Sequence, residues 1–209
     1  MSTGISQSFD FPVGGAKAGV YSTAEGHGVV IPQQTHSCNV AVIGRGGTIP
    51  SLEDTDAIVS LAPGLAVGVR TADCVPVLLY APDLRAVAAV HAGWKGSLGG
   101  IVDQTVHELI RLGARPDAIY AAFGPSVCPA CYEVSPEMIE MFRSAGFGNC
   151  IAAPRHIDLE AVNTQRLTAL GVNPTNIRSK DYCTRETPWL PSWRRQPGIS
   201  ARLLSWIML

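Results

Sequence analysis

The sequence predicts an α/β protein, a layered sandwich of mixed β-sheet with helices packed on both faces. Three observations carry that expectation. Short apolar runs rich in Val, Leu and Ala fill the middle of the chain, and after Gly100 apolar residues recur at helical spacing. The 209 residues, 46% of them hydrophobic, are enough to enclose a sizeable core in one domain, read here as residues 1–209.

Ala57–Ser60, Leu65–Arg70, Val75–Tyr80 and Ala86–His91 read as buried strands, because each is a short apolar run bounded by turn chemistry such as Ala81-Pro82-Asp83-Leu84. From Gly100 onward, Val102, Val106, Leu109 and Ile110 mark one face of an amphipathic helix, and Gly113 supplies a left-handed stop. Ile119–Phe123 is a further strand. Ser135 caps a helix that runs to about Gly146, with Pro136 suited to its first turn. Asp158 caps the segment Leu159–Leu170, Gly171 closes it, and the chain then returns to strand. The last residues, Ile199 to Leu209, are apolar on nearly both faces, as in a strand covered on each side. The 21 Gly and 15 Pro sit singly or in short turns such as 44–47, so no linker, repeat or low-complexity segment is expected.

Charge narrows the function classes. Sixteen basic against seventeen acidic residues, a net charge of −1 and no Lys/Arg run argue against a nucleic-acid face, which needs clustered positive charge. The first fifteen residues lack a charged start followed by an apolar stretch, and the apolar tail 203–209 is too short to span a bilayer. A cytoplasmic protein is therefore expected. Its six cysteines, Cys38, Cys74, Cys128, Cys131, Cys150 and Cys183, are expected as reduced thiols.

Three potential soft ligands stand in distinctive surroundings: His36 in QQTHS, Cys74 in RTADCVP and His91 in VAAVHAGWKG. Each falls near a predicted strand end or in a turn. A catalytic zinc keeps three protein ligands and an open fourth position, a requirement that a His, Cys, His set meets. By spacing alone His36 is far from the other two, and a lone His is more often a surface or satisfied core residue. The residue pattern by itself leaves both readings open.

Several strings, in order, resemble the laccase-domain family once called multicopper polyphenol oxidases. They are QTHS, DAIVS, GVRTADCVPVLLYAP, AVHAGWKGSLGGI, AAFGPSVCPACYEV, HIDLEAVNTQRL and CTRETPWLPSWRRQPGISARL, together covering roughly residues 30 to 209. The resemblance implies Zn2+ held by His36, Cys74 and His91 in an α/β sandwich similar to that of cysteine deamidases. It also implies phosphorolysis of adenosine, inosine and methylthioadenosine, with deamination of adenosine as a further reaction. A bacterial branch is linked to editing of cell-wall precursors. This chain departs from the family pattern at Ser192-Trp193-Arg194, where Ser-Tyr-Arg is frequent, and at Cys128, where Gly is common.

Phosphorolysis passes through a cation-like sugar, so an acid for the departing purine and cations for phosphate are sought. Asp73, beside Cys74, is the candidate for proton transfer, although an Asp next to a metal ligand is as often a group that orients it. Arg70, Arg194 and Arg195 are candidates for phosphate or ribose contacts, against surface solvation as the plainer reading. Gly93, Gly96 and Gly124 admit close backbone approach, or are simple turn requirements. Cys128 and Cys131 form a C-x-x-C without a second such pair to complete a four-cysteine site, so no dedicated role is expected there.

Four rivals stand beside this reading. A metal-free hydrolase would use Cys74 as nucleophile and His91 as base, and could serve peptidoglycan precursors. A copper polyphenol oxidase would need clustered histidines, whereas the chain has five (His27, His36, His91, His107, His156) and no H-x-H pair. A nucleobase deaminase would carry H-x-E with P-C-x-x-C, but Val127 precedes Cys128 and no H-x-E is present. A binding module without catalysis is the fourth. Small-molecule purine nucleosides and phosphate are the expected partners, with no nucleic acid and no membrane.

Overall fold

Two apolar surfaces back to back on one sheet dictate the architecture of the computed structural model, which describes residues 6–9, 11–12, 14–21 and 28–209. Residues 1–5, 10 and 13 of the N-terminal stretch read for an export signal, and His27, lie outside the described residues.

In chain order the strands are β1 (Ser6–Phe9), β2 (Lys17–Tyr21), β3 (Val40–Ile43), β4 (Ala57–Ser60), β5 (Val67–Thr71), β6 (Val75–Ala81) and β7 (Ala86–Ala92). Helices α1 (Trp94–Gly99) and α2 (Ile101–Arg111) follow, then β8 (Tyr120–Phe123), α3 (Pro136–Ser144), β9 (Ile151–Ala153), β10 (His156–Ile157) and α4 (Leu159–Ala169). The two-residue β11 (Ile177–Arg178) and the terminal β12 (Leu203–Met208) complete the set.

A six-stranded sheet of order β11-β8-β6-β7-β4-β3 is mixed: β3 runs parallel to β4 and β11 to β8, and the central pairs are antiparallel. A four-stranded antiparallel sheet has the order β1-β2-β12-β5, and β9 and β10 form a small hairpin.

Successive side chains on a strand point to opposite faces. In β6, Val75, Val77 and Leu79 therefore join one core with Val102, Val106 and Leu109 of α2, Phe142 of α3, and Val162 and Leu167 of α4. Leu78 and Tyr80 point the other way, onto Val67 and Val69 of β5, Ala18 and Val20 of β2, and Leu203 and Ile207 of β12. A sheet buried on both faces needs apolar residues at every position, which is why β6 and β7 read as unbroken apolar runs.

The mixed-sheet α/β class is as the sequence predicts, but the cover of the second face differs. Helices pack on one face only, and the four-stranded sheet occupies the other. Its strands are scattered along the chain, at the N-terminus, the middle and the C-terminus, so no local pattern announces them as one layer. The expected double cover of the terminal strand also holds in part only. Leu203, Ser205 and Ile207 face inward and Leu204 is buried, whereas Trp206 and Met208 are half-exposed on the outer side, with Trp206 stacked on Tyr21 at 5.6 Å.

The helices end where their chemistry says. The Ser135 hydroxyl accepts from the Met138 N–H and the Asp158 carboxylate from the Ala161 N–H, each closing a first turn. α1 was not expected. Its glycines hid it, and Gly100, left-handed at φ 88°, both ends α1 through its N–H to the Gly96 carbonyl and begins α2.

Candidate metal centre

The centre lies where the chain leaves one sheet for the other. β5 belongs to the four-stranded sheet and β6 to the six-stranded one, and the connection Ala72-Asp73-Cys74 crosses between them. That sharp change of direction puts Asp73 in the left-handed region at φ 92°, unusual for a non-glycine residue. Cys74 is half-buried at the head of β6. His91 projects from the end of β7, opposite Pro76 of β6, and is buried. His36 comes from the loop before β3 with φ 65°.

One buried carboxylate organises two of these three. Asp56, at the entry to β4, accepts from the main-chain N–H groups of Thr35 (3.0 Å), His36 (3.1 Å) and Ser37 (2.7 Å), and from the Ser37 hydroxyl (2.9 Å). Three successive amides around one anion form a nest that fixes the loop carrying His36. The same carboxylate takes a 2.6 Å hydrogen bond from His91 Nδ1. That bond fixes the ring's orientation and leaves Nε2 as the nitrogen free to bind. Burial works against the Asp56 charge, but the bonds from His91, Thr35 and Ser37 outweigh it and hold the carboxyl well below the usual carboxylate range.

His36, Cys74 and His91 place their ligand atoms within 4.8 Å of one another. Cys74 Sγ is 4.0 Å from His36 Nε2, against about 3.6 Å for a sulfur and a nitrogen sharing one tetrahedral zinc. The Cys74 thiol is raised by burial, yet its contacts with His36 and His91 prevail and bring it to about 6. Burial lowers the His91 imidazole, and Asp56 and Cys74 reverse this and carry it to about 9. Close packing supports the same fit: a Cβ on Gly93 would stand 2.9 Å from the His36 ring and 3.1 Å from Cys74 Sγ. The donor set, its supporting carboxylate and the glycine that makes room for it suit a metal ion.

This cluster opens into a cavity of about 1120 Å³. Arg70 lines it with a guanidinium that is exposed and has no partner among the described residues. Its main chain is held instead, by a reciprocal pair of 2.8 Å bonds with the Gln34 side chain. Arg194 lines the cavity too, donating to the Glu133 carbonyl at 2.5 Å and lying 4.6 Å from the Tyr132 ring centre. Tyr132 is buried and keeps its proton, because burial pushes the phenol up to about 12.

Two of the expected substrate groups prove to be otherwise engaged. Arg195 does not line the cavity; its guanidinium donates to the carbonyls of Thr184 (2.8 Å), Arg185 (3.0 Å), Thr187 (3.0 Å) and Pro188 (3.2 Å), and also to that of Leu190. With its donors committed to one turn of backbone, it braces the 184–190 segment. Asp73 does border the cavity, but both its oxygens are taken, Oδ1 by the Thr184 hydroxyl and Oδ2 by the Arg194 N–H, each at 2.6 Å. Gln34, Tyr132 and Arg202 line the cavity without having been singled out, Trp193 was noted only as a departure from the family pattern, and Asp56 was quoted only within a motif. Among the described histidines, His107 and His156 join neither of the side-chain groups able to hold a metal.

A family model described as multi-copper polyphenol oxidoreductase laccase matches residues 17–209. The chain is 43% identical over 171 residues to adenosine deaminase RL5 of an unknown prokaryotic organism, covering 75% of this chain and 65% of that protein. It is 37% identical over 157 residues to a purine nucleoside phosphorylase of Deinococcus radiodurans, covering 74% of this chain and 61% of that one. The chain thus spans less than two thirds of the length of these two relatives. The crystal structure of the Bacillus licheniformis hypothetical protein YfiH is similar with a TM-score of 0.83 at 25% identity, covering 93% of this chain and 92% of that one. On the extent of the match, from β2 to the last residue, the chain belongs to the multi-copper polyphenol oxidoreductase laccase family.

Proposed function

We propose that this chain is a zinc-dependent purine nucleoside phosphorylase, acting on adenosine, inosine and methylthioadenosine, with adenosine deamination as a second reaction of the same site. It works as one domain over residues 1–209, in the cytoplasm. The observation that carries this reading is a His36, Cys74, His91 centre with one side open to a cavity large enough for a nucleoside and phosphate together. Two relatives named for these two reactions support it.

Held by His36, Cys74 and His91, zinc would supply a Lewis acid at this centre. The remaining work falls to the protein. Arg70, exposed at the rim and unpartnered among the described residues, holds a phosphate oxyanion, with Arg194 and Arg202 adding positive charge around the same space. Trp193 and Tyr132 offer faces for the purine, and the Tyr132 hydroxyl retains its proton and donates a hydrogen bond. Asp73, first considered for proton transfer, accepts two hydrogen bonds and serves to position Arg194 against Cys74. Asp56 sets the His91 tautomer.

One observation favours a second reading. Asp56, His91 and Cys74 form a carboxylate, imidazole and thiol series, with the thiol brought to about 6, as a cysteine hydrolase of cell-wall peptides would require. A copper oxidase has no such support, since no further histidine cluster exists among the described residues. Metal removal separates the two. Phosphorolysis of adenosine should vanish on chelation and return with zinc. Activity indifferent to chelation but destroyed by thiol alkylation would replace this reading with the hydrolase.

A further inference from the structure

A second group of soft side chains converges away from the His36–Cys74–His91 centre, and the nucleoside chemistry makes no use of it. Cys128, Cys131, Cys183 and Glu186 each place one ligand atom within 4.8 Å of the others. They come from two segments, the turn after β8, which contains the short 3-10 turn Pro129–Cys131, and the stretch beyond β11. The main chains of these segments already touch: Ser126 and Cys183 form a parallel bridge, and the Thr184 N–H donates to the Ser126 carbonyl at 3.1 Å. The Cys128 N–H points at Cys183 Sγ, 3.3 Å away, and the Cys131 thiol lies 3.5 Å from Glu186 Oε1.

We propose that Cys128, Cys131, Cys183 and Glu186 form a second metal site, a structural zinc-class centre of three thiolates and one carboxylate that clamps these two segments together. Four protein ligands make a closed site, the arrangement of structural rather than catalytic zinc, and thiolates select this class of ion. Two residues separate Cys128 from Cys131, within the ligand spacing common in such sites. Sulfurs on one tetrahedral zinc lie about 3.8 Å apart, and the four ligand atoms here already lie within 4.8 Å of one another.

The clamp has a consequence for the cavity. Thr184 follows Cys183 directly and holds Asp73, which in turn holds the Arg194 N–H. Arg195 ties the carbonyls of Thr184, Arg185 and Thr187 to the same unit. A metal at the four-ligand site therefore fixes the wall that carries Arg194.

Metal counting on the full-length protein, loaded with zinc and desalted, tests the proposal. Two zinc ions per chain are expected for the unaltered protein, and one each for His91→Ala and Cys131→Ser. In the cobalt-loaded form, thiolate-to-metal absorption should survive largely intact in His91→Ala and fall by more than half in Cys131→Ser. Should Cys131→Ser fail to fold, Glu186→Gln, at an exposed position, should weaken the second zinc at least tenfold by chelator competition. One zinc per chain in the unaltered protein, lost in His91→Ala, would overturn the proposal. A mass 2 Da lower without reductant, marking a disulfide within the cluster, would overturn it too.

Discussion

Asp56 does more for the centre than any group outside the ligand set, because one carboxylate holds both the His36 loop and the His91 ring. Asp56→Asn keeps the shape but removes the charge that orients these partners. Zinc affinity of the His36–Cys74–His91 centre should fall about 10- to 100-fold, read by competition with a chromophoric chelator. Unchanged affinity would mean the nest merely shapes a loop. Arg70 and Arg195 make a paired test. Arg70→Ala should raise the KM for phosphate about tenfold or more and leave the melting temperature unchanged, since its guanidinium has no partner to lose among the described residues. Arg195→Ala should do the reverse, costing about 2 kcal/mol of unfolding free energy with the phosphate KM little moved. The three converging ligands were legible because each sits in a motif that resembles the family's. Asp56 was not, since three of its partners are backbone amides without a sequence signature and His91, the fourth element of that arrangement, lies 35 residues away along the chain. Arg194 and Arg195 are chemically identical neighbours, and only the fold decides that one lines the cavity while the other faces five carbonyls.

Elements position the site through junctions rather than through their lengths. Cys74 occupies the crossing from one sheet to the other, and Gly93 occupies the step from β7 into α1, where the chain passes against two of the ligands. Gly93→Ala should displace His36 or Cys74 by a few tenths of an ångström and lower zinc occupancy, with the fold retained by circular dichroism. Full occupancy after the change would show that the contact has slack. Strands β4, β6, β7 and β8 match the expected segments to within a residue or so, as does β5 to within two, because burial on both sides writes itself as an apolar run. Helices α2, α3 and α4 were legible from their caps and spacing. β2 and β3 were missed, being strands of only five and four residues, β3 alternately half-buried and so without the unbroken apolar run of the central strands although the turn 44–47 follows it, and α1 was masked by Gly96 and Gly99.

At the scale of the molecule, one six-stranded sheet serves two cores, and the candidate metal centre lies where the chain crosses between the two sheets, at the ends of the central strands β6 and β7. Phe142, fully buried in the helix-side core, should cost about 3–5 kcal/mol on truncation to Ala, read by denaturant unfolding. Zinc binding at His36, Cys74 and His91 should persist in that variant under native conditions, since Phe142 is not among the residues that line the cavity. The second layer was illegible because its strands, β1, β2, β5 and β12, assemble from distant parts of the chain. The central claim is that the three-ligand centre performs phosphorolysis of purine nucleosides. Chromatographic analysis of adenosine incubated with the zinc-loaded protein, with and without phosphate, beside His91→Ala, tests it most directly. Adenine and ribose 1-phosphate should form only with phosphate and only in the unaltered protein, with inosine as a slower product independent of phosphate. Adenosine left intact by the zinc-loaded protein, or consumed equally by His91→Ala, would contradict the assignment.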